Sequence, residues 1–222
     1  MKIFKSEKVY LFNYKKNSFF EGFYRLLAII VSPLLKSLNP NFISVLSLLS
    51  GLAALLLSSL YDVNLKIIIL FFFISFIFDF ADGLIARLKK QTSFYGRFID
   101  GLFDILVIGF LHIIFINYIE INHEIFFNIN FYYTILLLLP IQHLILDRFS
   151  ALARWSSNLG KKKIKPYYRN SHFNFFTYFL FDLQHLCIYL ILFTNLSNIQ
   201  YLIETYLIIS FLASVTTILL YI

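Results

Sequence analysis

The chain has 222 residues, of which 59% are hydrophobic and 14% are charged, and its formal net charge at pH 7 is +7. A soluble domain of this size could not bury so many apolar side chains, so the composition excludes an ordinary water-soluble protein and favours one that resides in lipid. The single cysteine, Cys187, excludes an internal disulfide and a cysteine-based zinc site.

The first predicted element is an amphipathic helix that precedes residue 39. Apolar residues recur there at helical spacing, and they are Phe19, Phe23, Leu26, Leu27, Ile30, Leu34 and Leu38. Polar residues occupy the opposite side, and they are Ser18, Glu21, Arg25, Ser32 and Lys36. The pattern predicts an interfacial helix on the cytoplasmic leaflet, within a cytoplasmic N-terminal segment of residues 1–38. Such a helix could be a simple anchor or a gate for lipid entry, and the pattern leaves both open.

Six long apolar runs follow the amphipathic helix. They cover residues 42–60, 67–87, 98–119, 131–150, 175–193 and 201–222. Each is close to the ~20 residues that a helix needs to cross a bilayer, and a backbone exposed to lipid must satisfy its own hydrogen bonds. The sequence therefore predicts an all-α membrane protein, with six transmembrane helices over residues 39–222 and a kink at Pro140 in the fourth.

The positions of the lysines and arginines indicate how these spans are oriented. Of the 19 basic residues, all but Lys66 lie before the first span, between the second and third, or at or beyond the end of the fourth. Because basic connections stay in the cytoplasm, both termini are expected there, in a multi-pass protein of a bacterial inner membrane. The basic residues follow membrane sidedness and form no single folded face, so nucleic-acid binding is not expected.

The connection between the second and third spans carries the most informative pattern. It reads Asp79-Phe-Ala-Asp82-Gly83-Leu-Ile-Ala86-Arg87, then eight residues, then Gly96-Arg-Phe-Ile-Asp100-Gly-Leu-Phe-Asp104. The first group follows i, i+3, i+4 and i+7 spacing, and the second follows i, i+4 and i+8 spacing, so each shares one face of a helix. The intervening residues 88–95 are short and polar enough for a cytoplasmic hairpin. The four aspartates can therefore point into one cleft.

Four carboxylates inside a membrane are stable together only if the cluster is hydrated, partly protonated or neutralised by cations. One carboxylate costs about 2.5–3.5 kcal/mol at the centre of a spanning helix, so four would cost roughly 10 kcal/mol if all lay at that depth, before their mutual repulsion. Arg87, the nearest basic residue on the same face, cannot balance four negative charges. Hard oxygen ligands with an open face suit Mg²⁺ or Mn²⁺, and four carboxylates suit two such ions about 3.5–4 Å apart.

These residues resemble the signature of the CDP-alcohol phosphotransferase (CDP-alcohol phosphatidyltransferase) family, D-x2-D-G-x2-A-R-x8-G-x3-D-x3-D. The chain matches every fixed position of this signature between Asp79 and Asp104. The resemblance implies a membrane enzyme of phospholipid biosynthesis, which transfers a phosphoalcohol group from a CDP-linked donor to an alcohol acceptor and releases CMP. Six spans with the motif between the second and third are also similar to the family, and the family's habit of forming homodimers implies a possible homodimer.

The resemblance also implies a role for each matched residue. The metal ions would be bound by Asp79, Asp82, Asp100 and Asp104. Asp104 would in addition act as general base on the acceptor hydroxyl. The residues implied to contact CDP are Asn41, Asp79, Gly83, Ala86, Arg87 and Gly96. Arg87 would pair with the phosphates, and Asn41 belongs to a Pro-Asn pair similar to one in the family.

The sequence leaves the donor and the acceptor open. One option is CDP-diacylglycerol with a small alcohol such as glycerol phosphate, serine or inositol phosphate, and the small size and the basic connection after the fourth span favour it. The other is CDP-choline or CDP-ethanolamine with diacylglycerol as acceptor, which the aromatic, lysine-bearing N-terminal segment favours.

Other charged residues allow two interpretations each. Arg148 and Arg154, near the cytosolic end of the fourth span, are candidates for acceptor binding, but Arg148 could instead pair with Asp147. The basic run 161–169 fits either an anionic headgroup or an ordinary cytoplasmic loop. Asp182 and His185, one turn apart in the fifth span, could line a cavity or form a hydrogen-bonded packing pair.

A protein of another class would also place acidic residues within its spans. A small cation transporter with an acidic intramembrane pathway is such an alternative. It gives no role to the fixed glycine, alanine and arginine positions of the motif.

Overall fold

The computed structural model describes residues 19–60, 64–122, 128–158, 171–194 and 199–221. Within these ranges the chain forms seven α-helices and no strand. The helices are α1 (Phe19–Leu35), α2 (Pro40–Ser58), α3 (Leu65–Leu88), α4 (Phe94–Asn122), α5 (Ile129–Asn158), α6 (Ser171–Phe193) and α7 (Ile199–Tyr221). The predicted all-α fold is therefore confirmed for the described part of the chain.

Four of these helices are long and apolar enough to cross a membrane. They cover Pro40–Ser58, Leu65–Leu88, Phe94–Glu120 and Ile199–Leu219, close to the first, second, third and sixth runs predicted from the sequence. The fourth and fifth runs lie within α5 and α6. That these two helices cross the membrane stays a prediction. Pro140 lies inside α5, which continues on both sides of it.

Local sequence sets the starts of α2 and α3. The side chain of Asn39 accepts a hydrogen bond from the backbone nitrogen of Asn41 at 3.1 Å, and Pro40 occupies the first helical position. Asn64 caps α3 in the same way, through the backbone nitrogen of Lys66 at 2.9 Å. The Pro-Asn pair therefore lies at the start of α2, with Asn41 in its first turn.

Small residues let α2 approach both α3 and α4 closely. The hydroxyl of Ser47 donates to the carbonyl oxygen of Ser75 at 2.9 Å, and the hydroxyl of Ser75 donates to the carbonyl oxygen of Ser47 at 2.8 Å. A Cβ atom at Gly51 would lie 3.1 Å from a methyl carbon of Val107 on α4. Small residues at helix contacts are typical of packing in membranes, where close backbone approach replaces the hydrophobic driving force. α2 thus packs against the two helices that carry the aspartates.

The amphipathic helix α1 is present, but it packs lengthwise along α3. The ring of Tyr24 lies 5.7 Å from that of Phe76, near the middle of α3, and stacks on Phe80 at 5.6 Å. Just beyond the ends of the two helices, the Lys89 ammonium donates to the carbonyl oxygen of Leu38 at 2.6 Å. The two helices therefore run in the same direction, and α1 extends along half of α3. The sequence predicted a helix that lies on the leaflet. The structure adds that this helix packs alongside a candidate span, and its position in the membrane stays a prediction.

The two sides of α1 differ from the division expected from the sequence. The residues buried against the rest of the chain are Tyr24, Ala28, Ile29, Ser32 and Leu35. Ser32, assigned to the polar side, is buried and donates to the carbonyl oxygen of Ile29 at 2.9 Å. The exposed side carries the apolar residues Phe19, Leu26, Ile30 and Leu34. An exposed apolar side fits contact with lipid.

Part of α1 supports the helix that carries half of the motif. Ala28, Ile29 and Leu35 belong to one buried cluster with Ile43 of α2 and with Ala81, Leu84 and Ile85 of α3. By helical spacing, these three α3 residues lie on the opposite face from Asp79, Asp82 and Gly83. The contact with α1 therefore covers the back of the motif-bearing turn.

Asp182 and His185, one turn apart on α6, lie in different surroundings. The Asp182 carboxylate accepts hydrogen bonds from the backbone nitrogens of Phe19 (3.4 Å) and Phe20 (3.2 Å), at the start of α1. His185 is fully buried among aromatic rings, with Phe181 at 4.1 Å and Tyr24 at 4.8 Å, and among the described residues neither of its ring nitrogens has a hydrogen-bond partner. The interpretation of Asp182 and His185 as a hydrogen-bonded pair is therefore wrong, because Asp182 instead caps α1.

Candidate active site

A tight hairpin joins α3 to α4. Lys90 has a φ of 55°, in the left-handed region, and the next backbone nitrogen, that of Gln91, donates to the carbonyl oxygen of Ala86 at 2.8 Å. This is a Schellman-type helix end. α4 begins after Ser93, whose hydroxyl oxygen accepts a hydrogen bond from the backbone nitrogen of Gly96 at 2.9 Å. The two caps turn the chain sharply, so the last turn of α3 faces the first turns of α4.

The structure brings the four motif aspartates together between these helices. One carboxylate oxygen from each of Asp79, Asp82 and Asp100 lies within 4.8 Å of the other two. Asp104, one turn beyond Asp100 on α4, interacts with Asp79 through their side chains. Asp82 is buried and the other three are half-buried. The cleft expected from the helical spacing is therefore present.

This cluster has the donor set and the dimensions of a divalent-cation site. Mg²⁺ binds oxygen at about 2.0–2.1 Å, so two ligands of one ion lie at most about 4.2 Å apart. Oxygens already within 4.8 Å of one another need only small side-chain rotations to share an ion. Asp104, beside Asp79, offers further oxygens for a second ion. The residues present therefore fit Mg²⁺ or Mn²⁺, which prefer hard oxygen ligands.

A pocket of about 520 Å³, counting the open solvent at its mouth, lies between this cluster and the hairpin. Its lining residues come from α2, α3, the hairpin and α4, and they are Pro40, Asn41, Ser44, Asp82, Gly83, Ala86, Arg87, Gln91, Thr92, Ser93, Gly96, Arg97 and Asp100. All the residues expected to contact CDP are in this set except Asp79. Asp79 and Asp104 are each one turn further along their helices, away from the hairpin. The pocket thus has the metal-ligand candidates at its inner end.

The two motif glycines bring polar groups close to the pocket walls. A Cβ atom at Gly96 would lie 3.2 Å from the side-chain oxygen of Asn41 and 3.1 Å from the hydroxyl of Ser93. A Cβ atom at Gly83 would lie 3.1 Å from a terminal guanidinium nitrogen of Arg87. Glycine at these positions therefore lets α4 approach the start of α2 and lets the Arg87 side chain fold back over α3.

Several pocket residues were not identified as such from the sequence, and two of them interact with the aspartates. Arg97 lines the pocket, and its charge, like that of Arg87, acts on Asp100. Ser44 lines the pocket too, is buried, and donates a hydrogen bond from its hydroxyl to Oδ2 of Asp82. The sequence held a clue to each of them. Ser44 comes one helical turn after Asn41, and Arg97 comes directly after Gly96, so each is next to a residue that was expected to contact CDP.

The acceptor candidates cannot be located in the same way. Arg148 and Arg154 are on α5, but their side chains lie outside the described residues, as does the basic run 161–169. Their role in acceptor binding stays a prediction.

Comparison with known proteins gives one match. The model of the CDP-alcohol phosphatidyltransferase family matches residues 37–219, which include the whole motif and nearly all of the region 39–222 assigned to the six-helix domain. No curated protein and no solved structure matches the chain. Because the family match covers most of the chain and contains the residues that form the pocket, this protein belongs to the CDP-alcohol phosphatidyltransferase family, a family of transferase enzymes.

Proposed function

We propose that this chain is a membrane enzyme of phospholipid biosynthesis that moves a phosphatidyl group from CDP-diacylglycerol to a small alcohol and releases CMP. The observation that carries the proposal is a cluster of four carboxylates at the inner end of a pocket whose walls hold Asn41, Arg87 and Gly96. Family membership supports phosphotransfer from a CDP-alcohol. The choice of CDP-diacylglycerol depends on the small size of the chain and on the basic connection after α5.

The four aspartates would hold two divalent cations. Asp79, Asp82 and Asp100 are close enough to share one ion, and Asp104 would complete the second site with Asp79. Bound Mg²⁺ or Mn²⁺ would neutralise negative charge on the pyrophosphate and on the departing CMP. The cost of placing four carboxylates in a membrane supports this role, since the protein itself supplies too few positive charges to balance them.

The pocket walls would bind and orient the nucleotide. The guanidinium of Arg87, which lies over Gly83, would pair with the phosphates through its planar set of donors. Asn41 and Gly96 are close together at another wall of the pocket, where the ribose or the cytosine would fit. Arg97 adds a second positive charge to this pocket and supports an anionic ligand there.

Asp104 would remove the proton from the acceptor hydroxyl. It is one turn deeper than Asp100 and is absent from the lining of the nucleotide pocket, which suits a group that meets the acceptor. The hydroxyl oxygen forms a bond to the phosphorus that carries the lipid alcohol, the bond from this phosphorus to the CMP oxygen breaks, and the proton goes to Asp104. Since a carboxylate fully engaged by metal is a poor base, we expect Asp104 to be the least tightly coordinated of the four.

The proposed arrangement in the membrane has six spans, both termini in the cytoplasm of a bacterial cell, and the site at the cytosolic face. Lys89, Lys90 and Arg97 lie in or beside the hairpin at the pocket, and basic connections are retained on the cytoplasmic side. A cytosolic site is also where a water-soluble acceptor would arrive. A homodimer, implied by the family, stays a prediction.

A panel of donors and acceptors tests the proposal. The purified protein in lipid nanodiscs is incubated with Mg²⁺ or Mn²⁺, with CDP-diacylglycerol and each small alcohol, and with CDP-choline or CDP-ethanolamine and diacylglycerol. Release of CMP with CDP-diacylglycerol and one small alcohol is the expected result. Turnover only with the second pair of substrates would establish the choline/ethanolamine-type reaction instead. Cation flux without CMP release from any donor would support the transporter and contradict the enzyme.

A further inference from the structure

Ser44 connects α2 to the metal-ligand cluster through a single buried hydrogen bond. Its hydroxyl donates to Oδ2 of Asp82, and the two side chains are 6% and 5% exposed. Asp82 is the most buried of the four aspartates. Ser44 is therefore a neutral hydrogen-bond donor to Asp82 that comes from another helix.

The hydroxyl of Ser44 has a choice of acceptors. Serines within helices commonly donate to the carbonyl oxygen four residues earlier, and for Ser44 that atom, on Pro40, lies 3.3 Å away. A hydroxyl carries one hydrogen, and a bond to an ionised carboxylate is shorter and stronger than a bond to a neutral carbonyl. The hydrogen therefore goes to Asp82 when this carboxylate is charged, which is the state that binds a cation.

We propose that Ser44 is a positioning residue, which holds the Asp82 carboxylate in the rotamer that binds the divalent cation. This inference rests on the proposed function of the aspartates as metal ligands. A carboxylate has about four lone-pair positions, so one hydrogen bond from Ser44 leaves the remainder for metal. Groups that hold a metal ligand in place in this way change metal affinity or activity by about 10- to 100-fold when they are removed.

The chain offers a matched control one turn further along α2. Ser47 is equally buried and also bonds to α3, but its partner is Ser75, whose side chain is outside both the cluster and the pocket. If hydroxyls on α2 only hold α2 against α3, loss of either one should lower stability and leave metal affinity unchanged. If Ser44 positions Asp82, only its loss should weaken metal binding.

The experiment compares the purified full chain with the variants Ser44→Ala, Ser44→Thr and Ser47→Ala. Binding of Mn²⁺ in the absence of nucleotide is measured from the electron paramagnetic resonance signal of free Mn²⁺, and the melting temperature is measured in EDTA. We expect Ser44→Ala to lower Mn²⁺ affinity by about 10- to 100-fold. Ser44→Thr, which keeps the hydroxyl, should recover most of that affinity. Ser47→Ala should melt at a lower temperature and bind Mn²⁺ like the natural chain.

A fourth variant, Ser44→Cys, serves if Ser44→Ala fails to fold. It has nearly the same shape as the natural residue but is a weaker donor, so its Mn²⁺ affinity should also fall. The proposal is overturned if Ser44→Ala or Ser44→Cys binds Mn²⁺ like the natural chain, or if Ser47→Ala weakens binding as much as Ser44→Ala does.

The same measurements separate this inference from the proposed function. If the natural chain binds no Mn²⁺ and releases no CMP, the proposed function fails and the role of Ser44 fails with it. If the natural chain does both and the Ser44 variants match it, only the role of Ser44 is wrong. Activity at saturating Mn²⁺ adds a further check. If the Ser44 variants only bind the ion more weakly, their rate of CMP release should largely recover when Mn²⁺ is saturating.

Discussion

Polar side chains are buried in two regions of this protein, and the two regions satisfy them differently. Between α4, α6 and α7, His112 donates from Nδ1 to the carbonyl oxygen of Ile108 at 2.8 Å and lies 2.9 Å from the hydroxyl of Tyr206 through Nε2. The same hydroxyl lies 3.3 Å from the side-chain oxygen of Gln184. All three side chains are buried and can be neutral, and the one hydroxyl hydrogen of Tyr206 has two neutral acceptors, Nε2 of His112 and the side-chain oxygen of Gln184.

The region between α2, α3 and α4 differs because its buried groups share one sign of charge. Asp79 interacts with Asp82, Asp100 and Asp104, all of them carboxylates, and the hydroxyl of Ser44 gives Asp82 one neutral donor. Hydrogen bonds between neutral side chains of membrane helices stabilise by about 0.6 kcal/mol each, whereas a carboxylate within a span costs up to about 2.5–3.5 kcal/mol, the value at the centre of the span. The first region therefore serves packing, whereas the second brings together like charges that a bound cation would neutralise.

Removal of divalent metal should produce the largest difference between the two regions. With excess EDTA we expect CMP release to stop, and added Mg²⁺ or Mn²⁺ to restore it. Saturation at 100 times the dissociation constant should also stabilise the fold by about 2.7 kcal/mol, because the ion binds only the folded chain. Thermal melts with and without Mn²⁺ measure this, and Asp100→Asn should lose the increase. Full activity in EDTA would contradict a metal-dependent site.

The variant Asp104→Asn should lower the rate of CMP release by about 10²- to 10⁴-fold, the usual contribution of a general base. The amide keeps the shape of the side chain but cannot accept the proton from the acceptor. Since it also removes one of four like charges, we expect the melting temperature in EDTA to stay the same or rise. Steady-state kinetics and thermal melts check both. A rate close to that of the natural chain would show that another group acts as the base.

Replacement of Arg87 tests the pocket wall. We expect Arg87→Ala to lower kcat/KM for the CDP-linked donor by about 10- to 150-fold, because a hydrogen bond to a charged group contributes about 1.5–3 kcal/mol. Arg87→Lys should recover only part of this loss, since lysine lacks the planar pair of donors. The matched control is Arg25→Ala, which removes an ion pair with Glu21 on α1, away from the pocket. An equal loss in this control would indicate a general effect of positive charge.

The smallest effect is expected in the neutral region. Tyr206→Phe removes the hydroxyl that lies between His112 and Gln184, and it should lower the free energy of unfolding by about 0.6–1.7 kcal/mol. Kinetic constants and Mn²⁺ affinity should stay close to those of the natural chain. A loss of Mn²⁺ affinity in this variant would show that the two regions are coupled, which contradicts the division between packing and ligand binding.

The aspartate cluster was predictable because all of its determinants are local. Helical spacing sets which of residues 79–87 share a face, and a hairpin of a few residues brings the next helix alongside. Such a connection leaves little freedom in how Asp100 meets Asp82. The cap residues that shape the hairpin, Ser93 at the start of α4 and Lys90 at the end of α3, act over the same short distances.

Contacts between helices that are distant in the sequence were not predictable in this way. Ser44 is 38 positions from Asp82, and Asp182 is 163 positions from Phe19, whose backbone nitrogen it caps. Serines recur along α2 at 44, 47 and 50, and the place of Ser44 one turn after Asn41 puts it near the pocket but does not show that it meets a carboxylate. Each of these contacts depends on how whole helices pack.

The orientation of α1 could not be predicted from the sequence either. Its apolar period was correctly read as helical, but lipid tails are as apolar as a protein interior. Periodicity alone therefore cannot separate Leu26, Ile30 and Leu34, which are exposed, from Ala28 and Ile29, which pack inward.

By itself, the sequence determined a helical membrane protein with an acidic motif across one hairpin, because hydropathy and helical spacing operate within a few turns. Only the tertiary structure decided that Ser44 reaches Asp82, that Arg97 shares the pocket with Arg87, and that α1 packs along α3. The physical reason is that these contacts join distant segments, and their formation depends on the complementary shapes of packed helices.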